Sequence, residues 1–96
     1  MNFAAFEASL TSNTPPADLP PLQEAMWRAA KDDWDGAHTI VQADESAEAA
    51  WVHAYLHRVE GDLRNAGYWY KRAGKPEATG PLDAEWRIVA TALSGG

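Results

Sequence analysis

The sequence contains no cysteine, which excludes a disulfide framework, a thiolate metal site and a cysteine nucleophile together. With no disulfide to protect, the reducing cytoplasm is the simplest compartment. Basic side chains are scarce. Eight Lys and Arg stand against fourteen Asp and Glu, a formal charge of −6, so the surface repels polyphosphate and nucleic acid is not an expected partner. No apolar run nears the roughly 18 residues of a membrane span, and Met1 to Glu7 lack both the basic start and the apolar core of a secretory signal. The expectation is a cytoplasmic chain with no membrane partner. Val and Ile number six together against nineteen Ala, which starves a β-sheet and suits helices packed closely through small residues. No glycine-rich phosphate loop is present, and nothing assembles a nucleophile, base and oxyanion site. The sequence therefore predicts no catalytic residue and no cofactor.

What is there fits one all-α domain over residues 1–96. Five Trp, three Tyr and two Phe supply core bulk to a chain too short to bury much surface otherwise. Phe3, Phe6 and Leu10 fall on one helical face and predict a first helix over about 2–10. The stretch from Thr11 to Pro21 holds four prolines and forms an extended arm, so 1–19 reads as an N-terminal helix and Pro-rich segment. Pro20 or Pro21 opens the next helix, with Leu22, Met26, Ala29 and Ala30 inward, ending near Asp32. Asp33 caps a short helix carrying Trp34, Ala37, Ile40 and Val41. Asp44 or Ser46 caps a helix over about 45–60, whose wide apolar arc (Ala47, Trp51, Ala54 and Tyr55, flanked by Val52, Leu56 and Val59) marks it as central. Gly61-Asp62 is a stop followed by a cap, and Leu63, Ala66, Trp69, Tyr70 and Ala73 line the helix after it. Leu82, Trp86, Val89, Ala90 and Leu93 make a final stripe over 80–94, expected to cap the stack or to meet a second copy. Ser94-Gly95-Gly96 should fray.

Two helix pairs over 20–76 align at an offset of 29 residues, with Lys31-Asp32-Asp33-Trp34-Asp35-Gly36-Ala37 over Glu60-Gly61-Asp62-Leu63-Arg64-Asn65-Ala66. The later unit, Ala50 to Pro76, resembles a tetratricopeptide repeat. Gly61-Asp62 sits at the turn, Ala66 at the small position, Tyr70 at the aromatic, Ala73 three further on and Pro76 at the exit. It departs from the repeat at His53 and His57, where Leu and Tyr are usual. The run from His53 to Tyr70 also resembles one in small bacterial proteins of unknown activity, over roughly residues 22–90. These resemblances imply antiparallel helix pairs stacked as a short tetratricopeptide-like right-handed superhelix.

His53 and His57 stand one turn apart, the spacing at which a helix offers two imidazoles to one metal ion. Glu60 shares the strip but lies about 10 Å from His53 along the axis, so a site needs ligands from another helix or another chain. Ala54 stands where an HExxH protease needs glutamate. Three readings stay open: a solvated or hydrogen-bonded polar strip, part of a non-metal pocket, and a metal site. The first is the simplest, so no metal is expected. Arg58 projects among Trp51, Ala54 and Tyr55 and needs a partner; its head is expected to reach toward Glu60 or Asp62, or else to hold a ligand carboxylate or phosphate. Asp33, Asp35 and Gly36 imitate half an EF-hand loop, but Lys31 and Gln42 stand where its first and last ligands belong. Tyr68, Arg64, Lys71 and Arg72 form a basic patch, either a solvated face or a contact for an acidic peptide.

The leading expectation is a non-catalytic protein-interaction module that associates with another protein or with itself as a homodimer. The alternative is a small-ligand or metal-binding protein, conceivably an enzyme, using His53, His57, Arg58, Glu60, Asp62 and Asn65.

Overall fold

Caps and breakers in the sequence set the ends of every element in the computed structural model, which describes residues 1–95. Among these residues there are six helices and no strand: α1 (Phe3–Ser9), α2 (Pro21–Ala30), α3 (Trp34–Gln42), α4 (Ala47–Val59), α5 (Leu63–Ala73) and α6 (Leu82–Leu93). The side chains of Asn2, Asp33, Ser46 and Asp62 each accept a hydrogen bond from the backbone N–H three residues on, which satisfies a donor that the first turn leaves free. Pro21 opens α2, where its missing N–H costs nothing. Gly74 closes α5 in the left-handed conformation.

The 29-residue offset is visible in the backbone. Asp32 and Gly61 both take positive φ, 62° and 87°. The next residues, Asp33 and Asp62, donate their N–H to the carbonyls of Arg28 and His57 at 2.8 and 2.9 Å, and both then cap the following helix. Ala37 and Ala66, which correspond, are both buried, as are Val41 and Tyr70. The hairpins α2–α3 and α4–α5 are thus two copies of one local design.

Helix α4 packs against α2, α3, α5 and α6, as its wide apolar arc requires. The main core joins Phe6, Met26, Trp27, Val41, Val52, Leu56 and Val89, and a smaller cluster of Ala54, Ala66 and Tyr70 holds α5 to α4. Burying a side chain the size of Phe6 or Leu56 contributes about 2 kcal/mol each. Phe6 stacks on Trp86 with centroids 5.9 Å apart, which closes α1 over α6. Trp27, Trp34 and Trp86 each satisfy the indole N–H, on the Ser9 hydroxyl and on the carbonyls of Leu56 and Met26.

Several expectations are corrected. Leu63 does not join the inward stripe of α5; it is 63% exposed, because it is the first residue of the helix and extends beyond the end of α4. Val59 and Leu82 are exposed for the same reason, each at a helix end. Trp86, Val89 and Leu93 pack into the chain's own core, the capping role of the two expected for them. Ser94 is tied down: its hydroxyl donates to the Ala90 carbonyl and accepts from the buried Gln23 amide, which also donates to the Met1 carbonyl. Of the tail expected to fray, Gly96 lies outside the described residues.

Candidate metal centre

His53 and His57 are each only 6% exposed, so of the solvated or hydrogen-bonded strip expected for them it is the hydrogen-bonded form that is present. The reason is the double packing of α4, which lays α3 along one side of the two imidazoles and α5 along the other. From α3 comes a third ring. His38 Nε2 lies 3.0 Å from His53 Nε2, and the three imidazole centroids are 4.8 to 5.3 Å apart. One nitrogen from each of His38, His53 and His57 falls within 4.8 Å of the other two.

Aromatic walls hold the rings in place. Trp69 of α5 stacks on His53 at 3.8 Å and 11°, and Trp34 of α3 stacks on His38 at 4.5 Å and 15°. Behind the cluster, His57 Nδ1 donates to Glu60 Oε2 at 2.5 Å, and the Asn65 amide nitrogen stands 3.5 Å from the same Nδ1. With Nδ1 occupied by Glu60, the lone pair of neutral His57 resides on Nε2. A carboxylate accepting from the far nitrogen of a ligating imidazole is the usual outer shell of such ligands.

The electrostatics keep His53 and His38 neutral. Burial lowers the His53 pKa to about 4, with the neighbouring His57, His38 and Arg72 adding to the effect. Burial likewise lowers that of His38, helped by His57 and opposed by Glu60 and Asp35. Both rings are therefore uncharged at neutral pH, and across the 3.0 Å contact the Nε2–H of one donates to the Nε2 lone pair of the other. A zinc–imidazole bond is about 2.0–2.1 Å, which places the nitrogens of a tetrahedral site about 3.4 Å apart. The observed spacing is close enough for small ring rotations to bring three nitrogens onto one ion.

The remaining predicted residues separate. Asp62 caps α5 and lies near Glu60 and His57. Arg58 is outside the cluster, and its partner is neither Glu60 nor Asp62. Its guanidinium donates to Glu85 Oε1 at 2.9 Å and to the Gly80 carbonyl. Tyr70 donates to the other oxygen of Glu85. One helical step turns Arg58 about 100° from His57, onto the side of α4 that α6 covers. There the buried Arg58–Glu85–Tyr70 network fastens α6 and the preceding loop to the α4–α5 hairpin. Burial and the Glu85 carboxylate raise the Tyr70 pKa, and burial raises that of Tyr55 to about 12.

An open cleft of about 410 Å³ lies against His53, bordered by Trp69, Arg72, Asp44 and Glu45. The EF-hand-like acids have the other role considered for them: Asp33 caps α3 and pairs with Arg28 at 3.0 Å, and the amide N–H of Gly36 and the Arg28 charge hold its carboxyl below the ordinary range.

No family model matches the chain, and no curated protein or solved structure matches it.

Proposed function

We propose that this chain is a binding protein for a divalent transition metal of the zinc class, held by His38, His53 and His57. The observation that carries the reading is the convergence of three imidazoles from two helices, two of them buried and the third half-buried. Nitrogen-only ligation without thiolates suits Zn(II), Ni(II) and Cu(II), and three protein ligands leave one coordination position open. Glu60 holds His57 in the ligating tautomer, and Asp44 and Glu45 border the cleft by which a hydrated cation reaches His53. Metal binding replaces the His38–His53 hydrogen bond, with both protons carried on Nδ1.

Thermal unfolding tests this reading. Zinc at ten times its dissociation constant stabilises the native state by about 1.4 kcal/mol, which raises the melting temperature by about 5–10 °C for a domain of this size. His38→Ala abolishes the rise while leaving α4 intact. A melting temperature indifferent to zinc, nickel and copper would overturn the proposal.

A second reading has its own support. The equivalence of the α2–α3 and α4–α5 hairpins favours a short tetratricopeptide-like right-handed stack, resembling small bacterial proteins and working as a cytoplasmic protein-interaction module.

A further inference from the structure

The charges of this chain are segregated along the sequence, and the fold displays the segregation on two helices. Between Lys31 and Arg58 there are six carboxylates and no Lys or Arg. Between Asp62 and Glu77 there are four cations, Arg64, Lys71, Arg72 and Lys75, and no carboxylate. Arg64, Tyr68 and Lys71 recur at intervals of four and three residues within α5, which places them on one stripe about 10 Å long, and Lys75 follows beyond the helix end. All of them and Arg72 are exposed, and Tyr68, at 55%, stands in the middle of the stripe. Among the described residues none of these four cations is in an ion pair; Arg28, Arg58 and Arg87 take the carboxylates of Glu24, Asp33, Glu85 and Glu7. Arg72 lies over the face of Trp69 and Lys75 over that of Trp51. Helix α5 packs chiefly on α4, and the loop at Glu77 and Ala78 covers its Gly67 and Tyr70 side, so the outer side with Arg64, Tyr68 and Lys71 is an uncovered edge of the helical stack.

The complementary surface is on α3. Asp35, Thr39 and Gln42 follow the outer edge of that helix, all exposed, and the edge continues into exposed Asp44 and Glu45, with Asp32 before it. Among the described residues none of these carboxylates is in an ion pair, and Arg72 is the one cation bordering the cleft beside Asp44 and Glu45. We infer that the α5 stripe of one molecule docks on the acidic α3 edge of a second copy of this chain. The inference rests on the interaction-module reading and gives it a face and a partner; it is independent of the imidazole cluster. Charge complementarity selects the second copy, because each molecule carries both halves of the contact at similar length. Arg and Tyr, as at Arg64 and Tyr68 of the stripe, are side chains that concentrate binding energy at protein interfaces. An extended polyanion is disfavoured by the six carboxylates that the same molecule carries between Lys31 and Arg58.

The experiment is sedimentation velocity of the whole chain with two charge-reversed variants, each checked for native helicity by circular dichroism. One variant is Arg64→Glu/Lys71→Glu and the other is Asp35→Lys/Glu45→Lys. The wild type self-associates at about 100 µM in low salt, and association weakens about tenfold or more as salt rises toward 0.5 M, where the Debye length falls to about 4 Å. Each variant alone is monomeric. An equimolar mixture of the two associates again, since reversal on both sides restores opposite charges. A wild type that remains monomeric overturns the inference. Association that survives the reversals, or a mixture that fails to associate, overturns this face while leaving an interaction module on some other face. Binding of a polyglutamate peptide to a monomeric wild type would likewise overturn the second copy and assign the stripe to a foreign acidic chain.

Discussion

Single residues show how burial and spacing decide chemistry here. His53 and His57 are legible in the sequence as a pair one turn apart, but their burial is not. Ring position alone cannot say whether α3 and α5 cover that side of α4. His38 carries the missing information. It falls beside Ala37 on the stripe of Trp34, Ala37 and Val41, and an imidazole at an inward position is a signal the apolar count passes over. Arg58 misleads for a related reason, because its nearest carboxylates in sequence are not those in space, and Glu85 is 27 residues away. Burial of the imidazoles has a consequence for stability. In the unfolded chain His53 takes up a proton near pH 6.5, but in the native state only near pH 4. Its contribution is therefore fully present above about pH 6.5 and is lost as pH falls toward 4, at a cost of about 2–3 kcal/mol in the metal-free protein. Urea unfolding at pH 7 and pH 4.5, compared between wild type and His53→Gln, isolates that share. The wild type should lose more stability on acidification than the variant. Equal losses would mean that His53 is as easily protonated in the folded state as in the unfolded one.

At the level of elements, punctuation was the readable part of the sequence. Prolines, glycines and the Asn, Asp and Ser caps set the ends of all six helices to within a few residues, because these signals act through local backbone geometry. Long-range packing was harder, although the hairpins hold a usable rule. In an antiparallel pair, residues equally distant from the turn face each other. About the turn after α3 this brings His38 to His53 and Trp34 to His57; about the turn after α4 it brings His57 to Asn65 and His53 to Trp69. Applied to both turns, the rule assembles the cluster. What it cannot supply is the placement of α6, which reaches α2 and α4 through a loop with no fixed register. The two equivalent turns also differ in one informative residue. Asp32 holds φ 62° where its counterpart is Gly61. A left-handed Asp carries strain that glycine lacks, so Asp32→Gly should raise stability by about 0.5–1 kcal/mol, after allowing for the greater freedom of glycine in the unfolded chain. Denaturant midpoints measure this directly, and a destabilised variant would mean that the Asp32 side chain contributes something the turn geometry does not reveal.

For the whole molecule, the wide apolar arc of α4 is the organising feature. It draws four helices around one, and in doing so it closes a polar strip into a three-imidazole cluster and leaves α5 as an uncovered edge. A chain of 96 residues with a −6 charge has little core to spare for buried polar groups, yet it buries two histidines, Gln23 and Glu85. Gln23 and Glu85 have structural partners that account for them. The histidines also have partners, Glu60, Trp34 and Trp69 among them, but their nitrogens converge on one another, an arrangement that a cation stabilises. The most direct measurement is a cobalt(II) titration followed by visible absorption, on the wild type and on His38→Ala, His53→Ala and His57→Ala singly. The account predicts the intense visible bands of a four-coordinate nitrogen site, saturating at one cobalt per chain and lost in each variant. A chain that leaves cobalt with the weak spectrum of the hydrated ion, or a spectrum unchanged by removing His38, would contradict it.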